Sequence, residues 1–231
     1  MHIAGLQKLT LLDYPGKAAC TVFLSGCNLR CPFCHNASLV LPGRAAAQVT
    51  EEELFAFLQK RRRLLDGVCV TGGEPTLQRD LPTLLQQIKE LGFSVKLDTN
   101  GTNPALLRLL LEQSLVDDVA MDIKNSPAKY TETCGGREVL PLVRESAALL
   151  MESGLPYEFR TTAVKPLHTP ADLAAIGQWL QGARRYFIQN FVDSGDLIGA
   201  GLSALSPAEM EALLQAVVPY IPNAQLRGIE R

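Results

Sequence analysis

Six short runs rich in apolar and β-branched residues, at 18–25, 67–71, 94–98, 117–123, 156–164 and 185–191, alternate with segments of helical period, and this alternation constrains the fold most. Helical patterns at 51–65, 80–91, 104–113, 140–153, 170–180 and 207–218 supply the connections. The first opens on Thr50 with Glu53 three residues later, the pairing of a capping box. Strand and helix-length crossover in regular succession imply parallel strands joined by right-handed connections. The pattern is about two units short of a closed eight-fold barrel, so the expected fold is α/β, an open partial (β/α)6 barrel. A doubly wound open sheet shares the same local pattern. With 231 residues and no linker or low-complexity tract, a single domain over 1–231 is expected.

Bulk charge offers little to a polyanion: the formal net charge is -2, so no nucleic-acid partner is expected. Neither a leader pattern nor an apolar run of bilayer-spanning length is present, and a cytoplasmic chain without a membrane partner is expected. Six cysteines in a reducing compartment then point to metal or redox use rather than a disulfide frame.

Three of them, Cys27, Cys31 and Cys34, share one loop directly after the first strand. Three thiolates so spaced can hold three irons of a cubane cluster and leave the fourth without a protein ligand. Zinc is the competitor, but it usually takes four ligands, and the nearest fourth candidate, His35, adjoins Cys34 too closely to share its metal. Cys20 and Cys69 sit in apolar strands and read as buried small hydrophobes, whereas Cys134, before Gly135 and Gly136, reads as a loop thiol.

Polar residues gather where the expected strands end: Gly72-Gly73-Glu74-Pro75, Asp98-Thr99-Asn100-Gly101 and Asp122-Ile123-Lys124. Ligands of parallel α/β folds bind at the carboxyl ends of strands, so these loops should converge with the cysteine loop. Two glycines allow close backbone approach, and a carboxylate beside exposed carbonyls suits an ammonium group. No Gly-Lys-Ser/Thr follows, which excludes a phosphate loop. Asp122 and Lys124, two apart on a strand, face the same way and suit a ligand with hydroxyls and charge, or form an ion pair. Asn100-Gly101 also fits a plain turn.

These motifs together resemble the radical S-adenosylmethionine superfamily, in which a Cys-x3-Cys-x-aromatic-Cys loop binds a [4Fe-4S] cluster whose open iron chelates S-adenosylmethionine. Phe33 fills the aromatic position, which borders the adenine, and Gly72, Gly73 and Glu74 form the loop that receives the amino group. Leu12-Asp13-Tyr14-Pro15-Gly16, Cys34-His35-Asn36, Leu97 to Gly101, and Asp122-Ile123-Lys124 with Tyr130 and Gly135 are similar to the glycyl-radical-enzyme activases, over residues 5 to about 190. Within that family the pattern is most similar to the activating proteins of anaerobic ribonucleoside-triphosphate reductase, with pyruvate formate-lyase activating enzymes the nearest well-understood relatives.

The resemblance implies an anaerobic oxidoreductase that reductively cleaves S-adenosylmethionine and abstracts hydrogen from a glycine of a partner enzyme, with flavodoxin or ferredoxin as electron donor. It sets Asp122 near the ribose, Lys124 near the methionine carboxylate and His168 against the ribose. Asp98 and Thr99, followed by Asn100, correspond to positions around the cofactor that hold a monovalent cation. Asp13, His35 and Arg160 correspond to positions that meet the partner's glycyl loop. Two alternatives stand beside this reading: a radical enzyme acting on a small molecule, as 7-carboxy-7-deazaguanine synthase does, and a non-catalytic metal-binding or electron-transfer module. The basic run Lys60 to Arg63 reads as a solvated helix end, and the glycine-rich 195–201 as a mobile loop able to fold over a docked peptide.

Overall fold

The computed structural model describes residues 1–41 and 49–228. Its strands are β1 (Ile3–Thr10), β2 (Ala19–Leu24), β3 (Gly67–Gly72), β4 (Ser94–Thr99), β5 (Asp118–Asp122), β6 (Tyr157–Ala163), β7 (Tyr186–Asn190) and β8 (Ala224–Arg227). The helices are α1 (Ala37–Val40), α2 (Glu51–Arg61), α3 (Leu81–Glu90), α4 (Pro104–Glu112), α5 (Tyr130–Thr133), α6 (Leu140–Glu152), α7 (Pro170–Trp179) and α8 (Pro207–Val217). Strand order follows chain order from β1 to β8, the linear order of an open sheet. Parallel pairing joins β2 to β3 to β4 and β6 to β7 to β8. The six expected strands are therefore present as β2 to β7, and two more frame them.

Both additions have a physical reason for escaping the pattern. β1 pairs antiparallel with β2 through two register irregularities, between Ile3 and Gly5 and between Gln7 and Thr10, so its apolar residues do not alternate cleanly. β8 is only four residues long. α2 keeps its Thr50–Glu53 capping box but ends at Arg61, short of the expected 65, where Arg62 caps it and like charges crowd the last turn.

The chain divides into two compact units: Met1–Asn28 with Ser38–Thr99 and Asn103–Ala120, and Leu29–Ala37 with Asn100–Thr102 and Met121–Arg231. In the first, the register places Cys20, Val68 and Val95 side by side, then Val22, Val70 and Leu97. This apolar face is fully buried, as are Leu54 and Leu58 of α2, Leu85 and Ile88 of α3 and Leu110 of α4. Each such side chain contributes about 1.5–3 kcal/mol of burial. The opposite face carries Thr21, Cys69 and Lys96 in register, with Asp98 two residues beyond Lys96. A polar face on buried strands marks where a ligand is expected, since a strand with no ligand to meet would be apolar on both sides.

The second unit packs Tyr157, Phe159, Tyr186 and Ile188 of β6 and β7 in its core, together with Leu173, Ile176, Met210 and Leu213 of α7 and α8. No helix among the described residues is long and apolar enough to cross a membrane.

Candidate active site

In the first unit the end of β2 and the Gly-Gly-Glu-Pro loop fit each other through backbone alone. Gly73 N donates to Leu24 O at 2.8 Å and Glu74 N donates to Gly26 O at 2.7 Å. Gly72 has φ of 124°, and a Cβ there would lie 2.2 Å from Leu24 O. Only glycine meets both demands, so the loop that follows β3 is held against the residue before Cys27.

Glu74 is wholly buried, and its Oε1 accepts from Thr76 N (3.1 Å), Thr76 Oγ1 (2.5 Å) and Thr99 Oγ1 (2.7 Å). The carboxylate thus caps the short turn Pro75–Leu77 and ties it to the end of β4, which fixes the shape of the glycine loop. Asp98 Oδ1 accepts from Lys96 Nζ at 2.5 Å, with the Lys96 side chain 2% exposed. The carboxylate on which, with Thr99, a monovalent cation is expected is thus already paired with a buried ammonium.

Asp13 lies on the same polar face: Thr21 Oγ1 donates to Asp13 Oδ2 at 2.6 Å, and Asp13 N donates to Thr10 Oγ1 at 3.1 Å. The carboxylate is aimed by the β1–β2 turn rather than left as a surface turn residue.

The second unit holds Cys31 and Cys34, joined in a turn by Cys34 N donating to Cys31 O at 3.1 Å. None of the six cysteines is in a disulfide. Cys31 is buried, and a hydrogen bond with the Cys134 thiol brings its pKa below the ordinary thiol range, against burial and with help from the Lys124 charge. Burial pushes the Cys34 thiol up. Cys134, expected as a loop thiol, is instead fully buried at the end of α5. Cys20 and Cys69 are buried on their strands as expected, and burial pushes Cys20 to about 12.

The glycine-rich segment after β7 is fastened to the cysteine loop. Ser194 Oγ donates to His35 O at 3.1 Å, Ala37 N to Asp196 O at 3.3 Å and Gly199 N to Pro32 O at 2.8 Å. Asp196 and Gly199 of the glycine-rich 195–201 are thus tied through backbone to the cysteine loop. His35 packs edge-on against Phe191, and its buried Nε2 is without a hydrogen-bond partner. Burial holds its imidazole below the ordinary value.

Asp122, Lys124 and Arg160 form one ion network in this unit. Asp122 Oδ2 accepts from Lys124 Nζ at 2.9 Å and Oδ1 from Arg160 Nε at 3.0 Å. Burial alone would raise the Asp122 carboxyl, but the two cations outweigh it and hold the group well below the usual carboxylate range. Lys124 is raised in turn by Asp122, again against burial. The Lys124 backbone is pinned on both sides: its N donates to Tyr130 Oη at 3.3 Å, and its O accepts from His168 Nε2 at 2.9 Å.

His168 is buried, its Nδ1 lies 3.2 Å from Val164 N and 3.3 Å from Val164 O, and because Lys124 O can only accept, Nε2 carries a hydrogen. Its ring meets Phe33 edge-on at 5.9 Å between centroids. Asn100 Oδ1 accepts from Thr102 N (3.0 Å) and Thr102 Oγ1 (2.7 Å), so that carbonyl shapes a turn. The residues that motif reasoning missed are Lys96, Thr76 and Cys134. A lysine at the alternating position of an apolar strand, two before an aspartate, was the available signal for the first.

The donor chemistry of each unit suits the group the motifs point to: the first holds Cys27 and a backbone cradle that admits no side chain, and the second holds Cys31 and Cys34 with the orphaned imidazole nitrogen of His35. Residues 21–180 match the family model of the radical SAM superfamily. The chain belongs to that superfamily. It is a radical SAM enzyme, and membership implies one [4Fe-4S] cluster and S-adenosylmethionine. A protein of Methanocaldococcus jannaschii is 33% identical over 234 residues, 98% of this chain and 96% of that one; its name, glycyl-radical enzyme activating enzyme, is itself provisional. The 7-carboxy-7-deazaguanine synthase of Thermococcus kodakarensis is 32% identical over 161 residues, which cover 60% of this chain and 61% of that one. Among solved structures, Streptococcus suis SuiB bound to precursor peptide SuiA superposes with a TM-score of 0.71 at 18% identity, over 90% of this chain and 48% of SuiB. That likeness shows the fold: α/β with a parallel sheet, open rather than closed, the partial-barrel class expected from the alternation.

Proposed function

We propose that this radical SAM enzyme is a glycyl-radical-enzyme activase, that residues 1–231 act as one radical SAM core domain, and that its protein substrate is an anaerobic ribonucleoside-triphosphate reductase. The observation that carries the reading is the match along 98% of the chain to a relative named as an activase, against 60% for the deazaguanine synthase.

Cys27, Cys31 and Cys34 would hold the cluster. When bound, the cluster and S-adenosylmethionine supply a reductive cleavage that yields methionine and a 5'-deoxyadenosyl radical able to take a glycine α-hydrogen. The chain's own part is placement. Backbone carbonyls of the Gly72-Gly73 loop receive the methionine ammonium, with Glu74 holding the loop in shape. Lys124 attracts the methionine carboxylate, and Asp122 accepts from the ribose hydroxyls while Arg160 keeps it ionised. His168 holds Lys124 and the edge of Phe33, which borders the adenine. Asp13 and the unpartnered His35 Nε2 are the polar groups offered to the incoming glycine loop. An external low-potential donor, a flavodoxin or ferredoxin, supplies the electron.

Anaerobic reconstitution with iron and sulfide tests the cofactor half of this reading. The expected result is a cluster whose reduced EPR signal changes on addition of S-adenosylmethionine, with release of methionine and 5'-deoxyadenosine, and no cluster in Cys27→Ala, Cys31→Ala or Cys34→Ala. A protein that takes up only zinc, or a cluster indifferent to S-adenosylmethionine, would support the non-catalytic module instead.

A further inference from the structure

Lys96 is the buried charge that the reading above leaves without a task. It lies on the central strand β4, 1% exposed, on the face shared with Thr21 and Cys69, and its strand neighbour Cys69 is itself fully buried. An ammonium in such a place is tolerated only beside a compensating charge. Asp98, two residues on and therefore on the same face, supplies it at 2.5 Å. A lysine retained inside a strand that a Leu or Val would fill equally well calls for a reason beyond folding, since buried ion pairs are weak contributors to stability.

Position gives the reason. Asp98 precedes Thr99, whose Oγ1 is bonded to Glu74 of the glycine loop, so the Lys96–Asp98 pair adjoins the segment that would cradle the cofactor. A resident positive charge here already balances the Asp98 carboxylate. We propose that the Lys96 ammonium is the built-in cation of this site: it takes the place that a monovalent metal ion would otherwise occupy on Asp98, orients that carboxylate, and makes cofactor binding independent of potassium or sodium. Lys96 acts through Asp98 and is a positioning residue. A tethered ammonium has the charge of potassium, donates hydrogen bonds in fixed directions, and cannot be diluted away.

The proposal rests on S-adenosylmethionine being the cofactor, and the test separates the two. The dissociation constant of S-adenosylmethionine for the reconstituted protein is measured in potassium chloride and in tetramethylammonium chloride at equal ionic strength. Wild-type affinity is expected to agree between the salts within about twofold. Lys96→Ala is expected to bind about tenfold or more weakly in tetramethylammonium, as follows from stranding a buried carboxylate, and to be restored severalfold by potassium. A purely structural role for the pair would give no such cation-specific recovery. Wild-type affinity that rises fivefold or more with potassium overturns the proposal, and that arm needs no variant. A folded Lys96→Ala protein that matches wild type in both salts overturns it as well. Absence of binding by wild type in either salt would instead remove the cofactor reading.

Discussion

Gly73 and Gly26 approach so closely that a Cβ on Gly73 would lie 2.0 Å from Gly26 O. The loop after β3 and the loop that carries Cys27 are thereby fixed to each other through atoms that no side chain can separate. Gly73→Ala must move one backbone or the other, at a cost of about 2 kcal/mol or more. The variant should lose S-adenosylmethionine binding by titration and unfold at lower temperature, whereas Gly5→Ala, whose added Cβ would meet Phe23 only at an ordinary 3.8 Å, should lose much less.

Lys124 is raised by Asp122 and stays charged at every working pH. Lys124→Met removes one of the two cations on Asp122 and the expected partner of the cofactor carboxylate. Affinity for S-adenosylmethionine should fall about tenfold or more, with the iron content unchanged. Equal affinity by isothermal titration would take Lys124 out of the binding set.

Burial holds the His168 imidazole below its ordinary value of 6.5, outweighing the backbone carbonyls of Lys124 and Val164 that favour its charge. Between the folded and unfolded values the unfolded chain binds more protons, so stability rises with pH up to about 6.5 and is flat above it. His168→Gln keeps an N–H for Lys124 O but does not titrate. Thermal midpoints measured from pH 5.5 to 7.5 should show a shallower slope below 6.5 in the variant than in wild type; parallel slopes would mean that His168 is not the group responsible.

A Cβ on Gly199 would fall 2.6 Å from the Pro32 Cβ, where Gly199 N is bonded to Pro32 O. Gly199→Ala should loosen the 194–199 segment from the cysteine loop. The expected readout is faster loss of iron to a chelator with little change in far-UV circular dichroism. A chelation rate equal to wild type would mean that this fastening does not protect the cluster.

Much of this was legible beforehand because parallel α/β folds announce themselves through period. β2 to β7 follow apolar runs bounded by turn residues, and the carboxyl-end rule located the Gly72, Asp98 and Asp122 loops. What escaped depends on tertiary context. β1 is bulged, so its leucines do not alternate, and Leu9 stands exposed. Glu74 reads as an acceptor for a ligand, and the hydrogen bond it takes from Thr99 at the end of β4 is a pairing no local pattern encodes. Arg160 and Asp122 are 38 residues apart and meet only because β6 follows β5 in the sheet. Cys134 looked exposed because Gly135 and Gly136 follow it, yet Gly135 turns with φ of 73° against Arg30 and carries the thiol inward.

The central claim is that the radical generated by this chain is delivered to a glycine of another protein. EPR spectroscopy of the reduced, reconstituted enzyme with S-adenosylmethionine and an anaerobic ribonucleoside-triphosphate reductase tests it most directly. The account predicts a glycyl doublet on the reductase, with 5'-deoxyadenosine formed in step with it and no doublet when Cys31→Ala replaces the wild-type chain. Steady release of 5'-deoxyadenosine with no doublet on that reductase or on any other glycyl radical enzyme would contradict it.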